Sequence, residues 1–384
     1  MRYAEVGFNL EIDLTRGNIE RVATDPKLAE LHLGGLGTNA KLFWERVPPE
    51  VEHFDPENPL IFGTGLLVGT PAPGCNRTIV SAISPQTRLF GFSMMGGFFG
   101  PELKRAGYDK VIFTGKSPEP VYAWIHDDKV ELLDAKHLMG LGTLESAELI
   151  RQELGQPNAA VSSIGLAGEN RVFFASIEQG RASASRLGVG AVMGDKNLKA
   201  IAVRGSKDLN IARPVEFIEH CNEALKSIKN RHKNPIPGVM PILAGLGSPQ
   251  EMAIHDEKWH TENFMWGNAR ERRKGFWNDE IAKNWEETLE TSRTRLISCY
   301  NCPLKCGATL NMKGLPTYMM KSFSKLTYTM AAYSDLDFGL TISQRATEYG
   351  VDGFSAPQVM AFALELLEAG ILGEDDFPGM PEDN

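Results

Sequence analysis

Apolar and polar residues alternate along much of the first half of the chain, a pattern that predicts β-strands. Residues 8–14 alternate, Thr15-Arg16-Gly17-Asn18 form a turn signal, and residues 19–22 alternate again, which predicts a hairpin. Short apolar runs predict the other strands of this half, at 60–63, 78–84, 110–114, 121–126, 130–133, 160–164, 172–177 and 198–204. Asp25-Pro26 and the stretch 39–46 predict two helices between these strands.

After Gly205 the apolar positions recur every three or four residues, which is the period of a helix. Pro214 opens such a stripe, and Cys221 falls on it, so this thiol is expected to be buried as a small apolar group. Further helices are predicted from 248 onward and over 278–291, 338–349 and 355–369. Together these patterns predict an α+β fold, with a mixed β domain and a few inserted helices over 1–207 and a mostly helical domain over 208–384.

The overall composition excludes several classes of protein. The chain has 384 residues, room for two or three domains, and a net charge of −9, which argues against a nucleic-acid partner. The first residues alternate in polarity, unlike a signal peptide, and no apolar run is long enough to span a membrane. Five cysteines, mostly clustered, fit a reducing cytoplasm.

Three cysteines lie close together in CYNCPLKCG, at Cys299, Cys302 and Cys306. Thiolates crowded in this way are usually held by a metal, and the spacing favours three ligands of a [4Fe–4S] cluster. Zinc is the alternative, although no second C-x2-C pair accompanies the loop. A disulfide is the simplest alternative.

Three glycine-rich segments of the first half combine small residues with arginine: TPAPGCNR at 70–77, SMMGGFFG at 93–100 and RASASRLGVGAVMG at 181–194. Such segments let backbone N–H groups approach a phosphate while a guanidinium supplies charge. None matches a P-loop or a dinucleotide-binding fingerprint, so tight turns of a β domain explain each segment equally well when it is taken alone.

A second polar cluster contains Glu251, His255 and His260. Glu251 and His255 are one helical turn apart and are able to face one metal ion, or Glu251 belongs to a capping box and His255 lies at the surface. His260 lies between aromatic residues, where it is either packed or a proton donor near neutral pH.

Taken in order, these segments resemble the aldehyde:ferredoxin oxidoreductase family. The resemblance runs through GTGLLVGTPAPGCNR, GGFFGPELKRAGYD, SIGLAGEN, GVGAVMGDKNLKAIAVRG and the cysteine loop. Within the family, HDEKWHTENF and RTRLISCYNCPLKCGATL are similar to the active-site subunit of ATP-independent benzoyl-coenzyme A reductases. The resemblance implies tungsten held by two pterins (tungstopterin), beside one [4Fe–4S] cluster.

The resemblance also assigns residues to these cofactors. The pterin contacts it implies are Arg77, Met94, Gly96, Ala182, Ser183, Ser185, Arg186 and Asp352. The carbonyls of Met94 and Ser183 would bind a Mg²⁺ ion that bridges the pterin phosphates. Cys299, Cys302 and Cys306 would bind the cluster, Glu251 and His255 a Zn²⁺ ion, and His260 would donate a proton to the substrate ring.

Two features depart from the family pattern. Leu326-Thr327-Tyr328 replace a segment that carries a glutamate in aldehyde-oxidising members, and Ser322 stands where the reductases have a cysteine ligand of tungsten. Family members also continue past residue 384, where the fourth cluster ligand lies. The resemblance therefore implies the N-terminal portion of a longer enzyme, which by itself would not hold its cofactors fully.

The function implied by the resemblance is reduction of the aromatic ring of benzoyl-coenzyme A to a cyclic dienoyl-coenzyme A. The expected partners are an acyl-coenzyme A thioester as substrate and an iron–sulfur subunit or ferredoxin as electron donor. Two alternatives stay open: oxidation of aldehydes to carboxylic acids with ferredoxin as acceptor, and an inactive truncated iron–sulfur or zinc protein.

Overall fold

The computed structural model describes residues 3–180, 182–233, 287, 293–303, 307–311, 318–321 and 336–376. Its first half contains two six-stranded sheets. The strands of the first sheet are β1 (Phe8–Asp13), β2 (Asn18–Ala23), β3 (Leu60–Thr64), β4 (Thr78–Ile83), β5 (Phe90–Met95) and β6 (Lys110–Thr114). They lie in the order β2-β1-β6-β3-β4-β5, and β1 with β6 is the parallel pair. Strand β5 therefore forms one edge of this sheet.

The second sheet has a similar mixed character. Its strands are β7 (Val121–His126), β8 (Lys129–Asp134), β9 (Ala160–Ser163), β10 (Ile177–Gln179), β11 (Ala182–Ala184) and β12 (Leu198–Arg204). They lie in the order β11-β10-β9-β12-β7-β8, and β12 with β7 is the parallel pair. The short hairpin of β10 and β11 forms the edge of this sheet, as β5 does in the first.

Six helices cover the sheets or pack between them. They are α1 (Pro26–His32), α2 (Gly35–Arg46), α3 (Phe99–Ala106), α4 (Thr143–Glu153), α5 (Leu166–Glu169) and α6 (Val189–Asp195). The main core joins inward residues of both sheets, such as Phe62 and Ile201, with Phe99 of α3 and Val192 of α6. Helix α2 covers the outer face of the first sheet and α4 that of the second. Since these side chains are apolar and fully buried, they supply most of the stabilising burial.

The second half contains three helices and a small sheet among its described residues. These elements are α7 (Pro214–Lys233), β13 (Arg293–Ile297), β14 (Gly307–Leu310), β15 (Tyr318–Lys321), α8 (Leu336–Tyr349) and α9 (Ser355–Glu368). The three strands pair antiparallel in chain order. No helix of the described ranges is long and apolar enough to cross a membrane.

The end of α8 is attached to the β domain through backbone and side-chain hydrogen bonds. The Thr143 hydroxyl donates to the Thr347 carbonyl at 2.8 Å, and the Leu144 N–H donates to Glu348 Oε2 at 3.1 Å. The Ser176 N–H donates to the Gly350 carbonyl at 2.8 Å. The end of α8 and the segment that follows it therefore lie against the start of α4 and the residues that precede β10.

The α+β prediction is confirmed, and most of the predicted strands are present. The prediction of a strand over 172–177 is wrong, because only Ile177 belongs to a strand, Phe173 and Phe174 lie in a turn, and Ala175 makes an isolated bridge to Val351. The carbonyls of Phe173 and Ser176 lie within 2.5 Å of where β-carbons at Gly188 and Gly190 would stand. This close approach shapes the segment, and apolar content alone does not reveal it.

Candidate functional site

The cysteine loop, defined by residues 299–303, lies against the first glycine-rich segment of the β domain. The Asn301 carbonyl accepts a hydrogen bond from the Gly74 N–H at 2.9 Å. The Tyr300 carbonyl accepts one from Asn76 Nδ2 at 3.0 Å. These bonds join segments more than 200 residues apart in the chain, so they fix the loop on the β domain.

Cys299 lies directly over the second glycine-rich segment. A β-carbon built at Gly96 would stand 2.9 Å from Cys299 Sγ and 3.5 Å from Arg77 Nη1. A side chain at position 96 would therefore occupy the space of the sulfur. The fold thus brings one predicted cluster ligand and two predicted pterin residues into direct proximity, although they come from three distant parts of the chain.

The hairpin of β10 and β11 forms the second wall of the site. A β-carbon at Gly97 would stand 3.3 Å from the Ala182 β-carbon and 2.0 Å from Gln179 Oε1. Gln179 Oε1 also accepts a hydrogen bond from the Phe98 N–H at 3.1 Å. Gln179 therefore connects the turn that carries Gly96 to the hairpin that carries Ala182.

Ser183 is held by a buried carboxylate on the same hairpin. Its hydroxyl donates to Glu178 Oε1 at 2.6 Å, and the Ser176 hydroxyl donates to the same oxygen at 2.8 Å. Glu178 is 3% exposed, so these charge-assisted bonds lie in a low-dielectric environment. They fix the side chain of Ser183 on the wall of the site.

Arg186 and Asp352 lie close together and form a third wall of the site. Arg186 Nε lies 3.7 Å from Asp352 Oδ2, and its guanidinium carbon is 4.7 Å from the centroid of the Phe354 ring. The Asp352 side chain is buried, and its Oδ2 accepts a hydrogen bond from the Ser355 hydroxyl at 2.6 Å. Its Oδ1 has no hydrogen-bond partner among the described residues. A buried carboxylate oxygen in this state fits a ligand with an N–H donor.

The chain makes an unusual turn directly after Ser185 and Arg186. Leu187 has φ 67° and Gly188 has φ 65°, two consecutive residues in the left-handed region. A leucine in this conformation is strained and occurs where the surroundings determine the backbone. The Arg186 N–H donates to the Ser93 hydroxyl at 3.1 Å, which ties the turn to β5.

The open face of the site is apolar and carries two arginines. Phe90, Phe92 and Met94 alternate along β5 with their side chains exposed, and Met94 is 52% exposed. Arg77 and Arg186 are exposed nearby. Guanidinium groups beside apolar surface suit a planar organic ligand that carries phosphates. Together with the Asp352 Oδ1 oxygen, these groups fit a pterin with a phosphate tail.

The two remaining thiols, Cys75 and Cys221, lie in partly or fully buried surroundings. Burial, and to a smaller extent the nearby Cys221, raises the pKa of the Cys75 thiol. Burial also raises the pKa of Cys221 on α7, which is 6% exposed, in agreement with its predicted position on an apolar stripe. Both shifts favour the protonated thiol. Among the described residues no group of three His, Cys, Asp or Glu side chains gathers around a point.

Five predicted site residues lie outside the described part of the chain: Cys306, Glu251, His255, His260 and Ser322. Conversely, the sequence reasoning missed Gln179, Glu178 and Tyr300, which hold the walls of the site together. Each is adjacent to a predicted segment, but their roles depend on contacts between distant strands. Of the three, only Tyr300 has a sequence position that indicates such a role, because it lies between two of the cysteines.

Comparison with known proteins identifies the family. The model described as "Aldehyde ferredoxin oxidoreductase, N-terminal domain" matches residues 9–205, and "Aldehyde ferredoxin oxidoreductase, domains 2 & 3" matches residues 222–383. The chain belongs to the aldehyde ferredoxin oxidoreductase family. The two matches together cover nearly the whole chain.

Members of the aldehyde ferredoxin oxidoreductase family with assigned activities are similar over the same length. The tungsten-containing aldehyde ferredoxin oxidoreductase of Pyrococcus abyssi is 34% identical over 97% of this chain and 60% of the relative. The WOR-like subunit of aliphatic sulfonate oxidoreductase from Pyrococcus furiosus is 30% identical over 97% of this chain and 61% of the relative. The chain thus spans about three fifths of the length of these relatives.

A solved structure is considerably more similar. It is the active-site complex BamBC of benzoyl coenzyme A reductase in complex with 1,5-dienoyl-CoA. Its matching chain is 72% identical, with a TM-score of 0.93, over 100% of this chain and 58% of that chain.

Proposed function

We propose that this chain forms the cofactor-binding part of an oxidoreductase that reduces the aromatic ring of benzoyl-coenzyme A. The observation that carries the proposal is the 72% identity to the benzoyl coenzyme A reductase chain, against 34% to the aldehyde oxidoreductase. The reaction adds two electrons and two protons to the ring and yields a cyclic dienoyl-coenzyme A. The thioester group stays intact.

The tungstopterin would be held by the walls described above. Arg77 and Arg186 would bind its phosphates, the Asp352 oxygen would accept from its ring, and the carbonyls of Met94 and Ser183 would bind Mg²⁺. Gly96, Ala182 and Ser185 would line the pterin site. When bound, this group supplies a metal that delivers electrons in pairs at a very low potential.

Cys299, Cys302 and Cys306 would bind a [4Fe–4S] cluster that passes electrons toward the site. The contact of Cys299 with Gly96 supports this role, since a cluster bound to Cys299 would lie next to the proposed pterin residues. The electrons would come from an iron–sulfur subunit or a ferredoxin.

His260 would donate a proton to the ring, and Glu251 and His255 would bind Zn²⁺ beside it. Ser322 would take the place of a cysteine near the metal. These four assignments come from the family resemblance.

Oxidation of aldehydes is the second candidate, favoured by the several tungsten-containing aldehyde oxidoreductases among the relatives. The absence of a glutamate at Leu326-Thr327-Tyr328 disfavours it. The test is to assay the full-length protein that carries this segment, purified anaerobically, with benzoyl-coenzyme A and with aldehydes. Formation of the dienoyl thioester supports the proposal, and aldehyde oxidation alone refutes it. His260→Ala should abolish dienoyl formation, whereas full activity in that variant would remove His260 from the mechanism.

A further inference from the structure

Tyr300 occupies the position between two of the predicted cluster ligands, yet its side chain leaves the cysteine loop and enters the β domain. Its hydroxyl donates a hydrogen bond to the Gly69 carbonyl at 3.0 Å and accepts one from Arg105 Nη2 at 3.0 Å. The Arg105 guanidinium carbon lies 5.2 Å from the centroid of the Tyr300 ring. Both the ring and the hydroxyl are therefore engaged by α3 and by the loop before the first glycine-rich segment.

The remaining contacts of Tyr300 reach the turn that carries Gly96. Its N–H donates to the Gly97 carbonyl at 3.2 Å, and its ring meets the Phe98 ring edge-on, with 6.3 Å between centroids. Its carbonyl accepts from Asn76, the residue before Arg77. Every neighbour on this side thus lies within two residues of a residue of the proposed pterin site.

We propose that Tyr300 is a positioning residue that fixes the cysteine loop, and with it the cluster, at a set distance from the pterin site. This inference rests on the proposed function for the identity of the two cofactors. The physical reason is that the other attachments of the loop, the hydrogen bonds of Asn301 to Gly74 and Pro71, reach only the first glycine-rich segment. The Tyr300 hydroxyl instead ties it to Gly69 and Arg105, and its backbone to Gly97. Electron transfer depends on the distance between the cluster and the pterin site. The contacts of Tyr300 would therefore set the rate at which electrons pass between the two sites.

The test compares Tyr300→Phe with Tyr349→Phe in the anaerobically purified protein. Tyr300→Phe keeps the ring contacts and removes both hydroxyl hydrogen bonds, while Tyr349 is a partly exposed tyrosine away from the loop. We expect Tyr300→Phe to raise amide exchange in residues 299–303 and at Gly97. We also expect it to speed iron release to a chelator by roughly tenfold to a hundredfold, the loss expected for one to two hydrogen bonds. Tungsten content should stay at the wild-type value.

A second variant distinguishes loss of the Tyr300 contacts from general destabilisation of the protein. Arg105→Met removes the donor to the Tyr300 hydroxyl, and the double variant with Tyr300→Phe should show less than the sum of the two single effects, because both changes remove the same hydrogen bond. The reduced cluster should show an altered electron paramagnetic resonance spectrum in Tyr300→Phe, which a change in global stability alone would not produce.

The outcomes distinguish this inference from the proposed function. Unchanged loop exchange and iron release in Tyr300→Phe, or equal changes in Tyr349→Phe, would overturn the positioning role even if the protein reduces benzoyl-coenzyme A. Amide exchange is measured without turnover. Faster exchange in Tyr300→Phe therefore supports the positioning role of Tyr300, whichever substrate the enzyme uses. A wild-type protein that binds no iron would overturn both.

Discussion

Cys299 and Gly96 are in direct contact: the cysteine sulfur lies 2.9 Å from the point where a β-carbon at position 96 would stand. Real β-carbons do not approach a sulfur this closely, so the glycine is required by the sulfur above it. The same point is 3.5 Å from Arg77 Nη1. One glycine thus separates a proposed cluster ligand from a proposed pterin contact.

Gly96→Ala is therefore predicted to displace the cysteine loop. The added methyl group meets Cys299 Sγ, so we expect iron content to fall by more than half while the β domain stays folded. The matched control is Gly373→Ala, where nothing lies within 4 Å of the new β-carbon. Iron analysis and circular dichroism of both variants provide the measurement, and a full iron content in Gly96→Ala would refute the contact.

Replacing Asp352 separates its structural role from its proposed cofactor role. Its Oδ2 accepts from the N–H and hydroxyl of Ser355 at the start of α9, so Asp352→Ala should cost about 1 kcal/mol in the free energy of unfolding. It should also lower tungsten content, because the Oδ1 acceptor is lost. Asp25→Ala removes a comparable helix cap at α1 and should leave tungsten unchanged. Denaturation in urea and metal analysis measure the two effects, and equal tungsten loss in both variants would contradict the cofactor role.

Gln179 is expected to act as a link between the two walls of the site. Gln179→Met keeps the volume but leaves the Phe98 N–H without its acceptor, at a cost of about 1 kcal/mol. Tungsten content should fall, since the turn with Gly96 loses its attachment to the hairpin. Gln152→Met at an exposed position of α4 serves as the control. Full tungsten retention in Gln179→Met, by elemental analysis, would exclude the linking role.

Lys110 should make stability depend on pH above neutrality. Burial lowers its pKa to about 8, partly offset by Asp109 and Glu5 and reinforced by Lys104, and its Nζ donates to the Thr38 hydroxyl. Between pH 8 and its ordinary pKa of 10.5 the unfolded state binds more protons, so this group makes stability rise with pH in that window. Below pH 8 the buried Lys110 is charged and lowers the free energy of unfolding by its full amount, which is at most about 3 kcal/mol.

Lys110→Met should accordingly be more stable than the wild type at pH 7 and show a smaller rise in stability up to pH 10. A rise remains, because burial lowers the pKa of Lys196 to about 8 as well. The exposed Lys226 gives the control variant, Lys226→Met. Urea denaturation at pH 7 and pH 10 measures the free energy of unfolding of each variant. An identical rise in wild type and Lys110→Met would show that Lys110 does not cause the pH dependence.

The sequence predicts the strands best where alternation or an apolar run has only one explanation. The hairpin of β1 and β2 and the strands β3, β4, β6, β7 and β12 lie where the pattern places them. Strand β5 was missed because its exposed residues, Phe90, Phe92 and Met94, are also apolar, so no polar alternation marks it. Helix α6 was missed because it is rich in glycine and is stabilised by burial between the sheets.

The site was predictable as a set of residues but not as an arrangement. The cysteine spacing and the family resemblance supplied Arg77, Gly96 and Cys299, and the fold brings these three together. The supporting contacts of Gln179 and Tyr300 join segments 81 and up to 231 residues apart, and no local pattern encodes such pairings. Long-range contacts of this kind emerge only from the packed sheets.

The most direct test is the metal content of the full-length protein that carries this segment, isolated anaerobically from the cells that produce it. We predict tungsten together with about four iron atoms for each tungsten, as one [4Fe–4S] cluster beside one metal site requires. Zinc in the absence of iron and tungsten would contradict this prediction.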